Sequence, residues 1–170
     1  MQENQDQIAL RRWIQAGLAI PEVRALHGDA KYILNNMIAK YTLAAAAYML
    51  SVGAERHLLS NGLLLTKSHR RSKLYGKKHA TVFEHAIPAT IVRRQLLETD
   101  GSEHEVREIL RRAGPVVVLL RTEDQQLREG GLNSRMPPSW TWGGDELARY
   151  RETGIVLSDS LLKVDGAIKR

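Results

Sequence analysis

The sequence predicts an α+β fold: a helix-dominated single domain with a small β-sheet. Apolar residues recur at helical spacing through much of the first sixty positions, whereas residues 116–120 are five consecutive apolar, mostly β-branched residues typical of a buried strand. A length of 170 residues with 43% hydrophobic content suits one ordinary core. We therefore expect one domain over 1–170, with a helical N-terminal half to about residue 60, a basic segment over 61–88 and a mixed α/β C-terminal half.

Three helices are predicted in the N-terminal half. Apolar residues at helical spacing over 10–17 indicate the first. Pro21 is suited to open a short second helix that Gly28 closes. Asp29 is suited to cap a third helix, which we expect to run to about Val52 and to form the spine of the core.

Strands are expected at three places. The Asn61-Gly62 pair signals a turn, and the short apolar run over 63–66 that follows it is compatible with a strand. Residues 81–83 are rich in β-forming side chains, and residues 116–120 form the third strand. The sheet is therefore predicted to be small.

Four further helices have recognisable starts. Pro88 stands where a helix begins, and Ser102 with Glu105 matches a capping box. A second capping box spans 122–125, and Asp145 is suited to cap a short helix towards the C-terminus. Most of the predicted elements are helices, in keeping with the α+β class.

Composition excludes several kinds of protein. The chain has no cysteine, so disulfides, thiolate metal sites and a cysteine nucleophile are excluded, and any metal would need His, Asp or Glu. Residues 1–6 are polar and acidic and lack the pattern of a secretory signal, so we expect a cytoplasmic location. The longest uncharged run, 41–54, is too short for a membrane span, so no membrane partner is expected.

Positive charge is concentrated in one stretch of the chain. From Arg56 to Phe83 there are seven Lys or Arg and no acid, while the rest of the chain carries 18 Lys and Arg against 19 Asp and Glu. Clustered cations suit a polyphosphate, because neutralising phosphates releases condensed counterions, so we predict a DNA or RNA partner. A solvated basic loop is the alternative. The predicted phosphate contacts are Lys67, Arg70, Arg71, Lys73 and Lys78.

Titratable residues gather at the end of this stretch. If residues 77–85 are extended, alternation places Lys77, His79 and His85 on one face. A neutral imidazole can then take a proton from a nucleophile, a second imidazole can protonate the leaving oxygen, and lysine can stabilise the phosphate charge. Such a set could cleave RNA without a metal.

The five residues Glu84-His85-Ala86-Ile87-Pro88 follow the predicted second strand. They resemble the core of the HNH-type, or ββα-metal, nucleases. The resemblance implies that His85 is the general base that activates water and that Glu84 is a ligand of a divalent metal such as Mg²⁺. The alternative is that Glu84 and His85 form a buried structural pair.

Two functions are consistent with these observations. The first is an endonuclease of restriction, toxin or phage type, with His85 as base and His79 and Lys77 as helpers. The second is a non-enzymatic phage or mobile-element protein that binds nucleic acid, or inhibits a nucleic-acid enzyme, through the same basic surface. Trp140 and Trp142 lie in a loop over 136–144 and indicate either a contact for a protein partner or an anchor of the loop on the core.

Overall fold

The computed structural model of the chain describes residues 3–25, 30–71, 74 and 80–165. These residues form eight helices and a four-stranded mixed sheet, so the predicted α+β class with helices in excess is confirmed. In chain order the elements are α1 (Gln5–Leu18), α2 (Pro21–Arg24), α3 (Ala30–Leu43), β1 (Ala47–Ser51), α4 (Val52–Ser60), β2 (Thr81–His85), α5 (Ala89–Glu98), α6 (Glu103–Arg111), β3 (Val116–Leu120), α7 (Arg121–Glu129), α8 (Ala148–Glu152) and β4 (Leu157–Lys163).

The sheet has the order β2-β3-β1-β4. The two central strands, β1 and β3, are parallel, and Met49 lies opposite Val117. The outer strands run antiparallel to them, with Phe83 of β2 opposite Val118 and Tyr48 of β1 opposite Leu162 of β4. The parallel pair of this sheet is thus at its centre, where helices cover both faces.

Strand β3 is apolar along its whole length because both of its faces are covered. Val116 and Val118 pack with α4 on one face, in a cluster that includes Leu58. Val117 and Leu119 pack on the other face with Leu127 of α7 and with α8. A third cluster joins α1, α3, α5 and α6 around Ile14, Ile38 and Leu96.

Helices α4 and α7 begin directly at the ends of the two parallel strands. Ser51 ends β1, and its hydroxyl accepts a hydrogen bond from Ala54 N at 2.9 Å, which caps α4. The Glu123 carboxylate accepts from Leu120 N at 2.8 Å and from the Ser51 hydroxyl at 2.5 Å. One side chain therefore joins the starts of both helices.

Several predicted elements differ from the structure. The third helix was expected to reach Val52 but ends at Leu43, because the residues after 46 pair with β3 and β4, and strand pairing overrides their helical spacing. Residues 63–66 form no strand; Leu63 and Leu65 instead pack half-buried against the α4 side of the sheet. Strand β4 was not predicted. Gly28 and Asp29 lie outside the described residues.

Two helix starts are displaced from their predicted positions. Helix α7 begins at Arg121 because the Glu123 carboxylate binds the backbone N–H of Leu120, which makes Leu120 the cap, two residues before the expected cap at Thr122. Helix α8 begins at Ala148, after a turn in which Asp145 accepts from Leu147 N at 3.1 Å. By contrast, Ser102 caps α6 as expected.

No helix in the described part of the chain combines the length and the apolar character needed to cross a membrane.

Candidate functional site

Strand β2 places Glu84 and His85 on opposite faces of the sheet. Successive side chains of a strand alternate, and the two residues lie opposite Val117 and Val116, which belong to different core clusters. His85 Nδ1 lies 2.7 Å from the Thr42 hydroxyl of α3. Glu84 is bound by Arg149 of α8 at 2.9 Å. The carboxylate and the imidazole are adjacent in sequence, but the structure does not bring them together.

Arg149 donates several hydrogen bonds around the end of β2. It is 1% exposed, and its guanidinium donates to Glu84 Oε2, to the backbone carbonyl of His85 and to the carbonyls of Leu132 and Asn133. A planar guanidinium suits such a set, because its donors point in fixed directions. Arg149 therefore ties the end of β2 to the loop that follows α7.

Glu84 lies in a cluster of charges beneath the sheet. Burial raises the pKa of Glu84 above its usual range, and the charge of Asp124 adds to this, although the Arg149 guanidinium opposes it. Asp124 Oδ2 accepts from Arg128 at 3.1 Å. Within the described residues, Asp124 Oδ1 and Arg149 Nε are buried without a hydrogen-bond partner. The stability of the protein is therefore sensitive to any change in the charges of this cluster.

Arg149 occupies Oε2 of the Glu84 carboxylate, so a metal at this oxygen would have to displace the guanidinium. Over residues 3–25, 30–71, 74 and 80–165, no group of three or more His, Asp or Glu side chains is placed to hold a metal ion. The predicted ligand Glu84 is thus a carboxylate already paired with Arg149, and Asp124, the acid whose charge acts on it, is itself paired with Arg128.

His85 is held as a neutral imidazole. Burial, and secondarily the charge of Arg149, lowers the pKa of His85 to about 4. The Thr42 hydroxyl lies within hydrogen-bond distance of two groups, Ala39 O at 3.0 Å and His85 Nδ1 at 2.7 Å. A neutral imidazole carries its proton on one ring nitrogen and a lone pair on the other, so the ring keeps one basic nitrogen.

The described part of the basic segment divides into exposed and anchored residues. Lys67 and Arg70 are exposed. Arg71 instead donates to the carbonyl of Leu43 at 2.9 Å, at the C-terminus of α3, where a cation is favoured by the helix dipole. Leu74 is fully buried, and the backbone of His69 pairs beside β4. The described part of the segment is thus attached to the α4 side of the sheet through Leu74.

Four of the predicted site residues lie outside the described residues: Lys73, Lys77, Lys78 and His79. The convergence of Lys77 and His79 with His85 therefore stays a prediction.

The loop with two tryptophans is anchored on the core. The rings of Trp140 and Trp142 meet edge to face, with centroids 6.2 Å apart, and Trp140 Nε1 donates to Asp145 O at 2.8 Å. Both rings pack against the cluster of α1, α3, α5 and α6. Open depressions of about 420 and 410 Å³ flank the pair. The anchoring interpretation is confirmed, and a protein partner at this loop stays a prediction.

Sequence reasoning missed Arg149 and Thr42. They lie 65 and 43 positions from the side chains they bind. No short-range spacing connects residues so far apart, and Arg149 occupies a predicted helix where an exposed arginine is the usual expectation.

No protein-family model, no curated protein and no solved structure matches the chain.

Replacement of Arg149 by Met should destabilise the protein by about 3–5 kcal/mol, because it leaves the half-buried Glu84 carboxylate without its counterion and the carbonyls of Leu132 and Asn133 without their donor. Urea denaturation measures this change in the free energy of unfolding. A second change, Glu84→Gln, should recover part of the stability by removing the unpaired charge. The matched control is Arg151→Met, two positions along α8, where a 71% exposed side chain pairs with Asp145 and a decrease below about 1 kcal/mol is expected. Equal decreases in the two arginine variants would contradict the role of Arg149.

The stability of the protein should depend on pH through His85. In the unfolded chain this imidazole binds a proton near its ordinary value of 6.5, whereas in the folded state it does so only near pH 4. Its contribution is fully present above pH 6.5 and is lost as the pH falls towards 4, a change on the order of 3 kcal/mol. Glu84 acts in the opposite sense, since its raised pKa favours the folded state as the pH falls.

Two variants test whether the His85 imidazole causes this pH dependence. His85→Asn keeps a side chain that can hydrogen-bond to Thr42 but does not titrate, so the free energy of unfolding should fall less steeply with decreasing pH than in wild type. His104→Asn, at an exposed site on α6, should keep the wild-type slope. Unchanged slopes in His85→Asn would show that the buried imidazole is not the titrating group.

Proposed function

We propose that the protein binds nucleic acid, DNA or RNA, through its basic segment, and that it does so in the cytoplasm without cleaving it. The observation that carries the proposal is the charge distribution: seven Lys or Arg and no acid from Arg56 to Phe83, in a chain that is otherwise close to neutral. Phosphate binding is the interaction that such a distribution favours most.

The anchoring of the segment supports this role. Arg71 and Leu74 attach the segment to α3 and to the sheet, while Lys67 and Arg70 stay in solvent. Cations carried on a fixed backbone lose less conformational freedom on binding than cations on an unstructured tail. The exposed pair is thus suited to contact phosphates, and Arg71 is suited to support it.

The placement of Glu84 and His85 favours a binding protein over a nuclease that uses both. General base and metal ligand must act on one phosphate, but these side chains lie on opposite faces of β2, each with a partner of its own.

The double variant Lys67→Ala/Arg70→Ala should bind nucleic acid more weakly and with a flatter salt dependence. The slope of log K against log salt concentration should fall by about 0.7 to 0.9 for each phosphate that is no longer neutralised. Fluorescence anisotropy of a labelled oligonucleotide over a salt series measures both quantities. Arg151→Ala removes one exposed cation of α8 and should leave the slope unchanged. The proposal fails if the double variant keeps the wild-type affinity and slope.

A second candidate is an endonuclease of restriction, toxin or phage type. One observation favours it: burial lowers the pKa of His85 to about 4, and a neutral imidazole, here in contact with Thr42 through Nδ1, is the form that a general base requires. In this alternative His79 and Lys77 would complete the set on RNA, or Glu84 would bind a divalent metal after release from Arg149.

A cleavage assay separates the two candidates. Single- and double-stranded DNA and RNA are incubated with the protein in Mg²⁺, Mn²⁺ or EDTA, and a binding protein is expected to leave all four intact. Cleavage that disappears in His85→Ala, with binding and thermal stability retained, would establish the nuclease instead. Sensitivity to EDTA would then point to Glu84 as a ligand, and resistance with RNA alone to the two histidines.

A further inference from the structure

The shortage of acidic residues extends well beyond the basic segment. Residues 30–97 contain eleven Lys or Arg and two acids, Glu55 and Glu84. Glu84 is bound by Arg149, and Glu55 accepts hydrogen bonds from the hydroxyls of Ser158 and Ser160 on β4. Helices α3 and α5 belong to this stretch, and α5 carries its single acid, Glu98, at its last position.

Side chains of α3 and α5 meet along their outer surface. Arg93 of α5 donates to Asn35 Oδ1 of α3 at 3.1 Å. Tyr32 lies one turn before Asn35 on α3 and is 65% exposed, more than Trp13 at 57%. Lys40 lies about two turns after Tyr32 and is exposed, as is Arg94 of α5.

This surface is continuous with the basic segment. Arg71 of the segment donates to the carbonyl of Leu43, the last residue of α3. Lys40 lies one helical turn before Leu43. Along the axis of α3, Lys40 therefore lies between the helix end that Arg71 contacts and the exposed ring of Tyr32.

We propose that the outer surface of α3 and α5 is a second part of the nucleic-acid interface and that it takes single-stranded nucleic acid. The ring of Tyr32 stacks on an unpaired base, while Lys40, Arg93 and Arg94 contact the phosphates on either side of it. The inference rests on the proposed function, since it extends the same interface.

The exposed ring is what selects a single strand. A base inside a duplex is stacked on both faces and offers no surface to a side chain, whereas an unpaired base offers its whole face to an aromatic ring. Tyr32 combines such a ring with the cations of a stretch that is poor in acids. This is the combination of stacking and positive charge by which single strands are bound.

The test compares Tyr32→Ala with Tyr32→Phe on a labelled single-stranded oligonucleotide and on its duplex. Removal of the stacking ring should weaken single-strand binding about 5-fold or more in Tyr32→Ala. Tyr32→Phe keeps the ring and should bind as wild type. Duplex affinity should be the same in all three proteins, because phosphate contacts alone serve the duplex.

Charge variants test the phosphate contacts of the same surface. Lys40→Ala/Arg94→Ala should lower the salt slope of single-strand binding by about 0.7 for each phosphate that is no longer neutralised. Arg151→Ala, an exposed arginine of α8 that is paired with Asp145, is the matched control and should leave the slope unchanged. Thermal stability should be close to wild type in every variant, because these side chains are exposed.

Three outcomes would overturn the inference. One is single-strand binding by Tyr32→Ala that equals wild type, and another is an equal decrease for single strand and duplex. The third is binding of wild type to phosphatidylserine vesicles that Tyr32→Ala abolishes while oligonucleotide binding is kept, which would assign the surface to anionic membranes. If Lys67→Ala/Arg70→Ala reduces binding and the Tyr32 and Arg94 variants do not, this inference fails and the proposed function stands. If none of these variants alters binding, both fail.

Discussion

The buried guanidinium of Arg149 is the contact on which the arrangement around β2 depends. It neutralises Glu84 beneath the sheet. It also donates hydrogen bonds to backbone carbonyls at the end of β2 and in the loop after α7. A buried carboxylate without a counterion is strongly unfavourable, so the position of α8 and the burial of Glu84 require each other. The same contact holds the Glu84 carboxylate on one face of the sheet, whereas the His85 side chain lies on the other face. It therefore keeps the two side chains from acting together.

The central strands explain how one small sheet organises helices on both of its sides. Strand β3 is buried on both faces, so α4 packs against Val116 and Val118 while α7 packs against Val117 and Leu119. The Glu123 carboxylate joins the starts of these two helices through the residues that end β1 and β3. The α4 face is also the one that receives Leu74, through which the described part of the basic segment is attached to the sheet.

A basic stretch in a sequence does not by itself distinguish cations that bind a partner from cations that support the fold. Arg71 belongs to the predicted phosphate contacts, yet its guanidinium caps the C-terminus of α3, whereas Lys67 and Arg70 are exposed. In the opposite direction, Lys40 and Arg94 lie outside the segment in sequence but on the helix pair that the segment adjoins. The charges along the chain thus indicate that the surface is positive. The packing of α3 against α5 determines which cations outside the basic segment lie on that surface.

The sequence by itself determined the features that rest on local physics. The period of apolar residues predicted α1, the cap at Ser102 predicted α6, and the β-branched run predicted β3, because each is fixed by neighbours within a few positions. Tertiary structure alone decided what depends on distant partners: the end of the third helix at Leu43, where strand pairing takes over, the whole of β4, and the separation of Glu84 from His85 by Arg149 and Thr42. Adjacent side chains of a strand point to opposite faces, but which groups meet them in β2 is set by helices more than forty positions away, and no local pattern records those contacts.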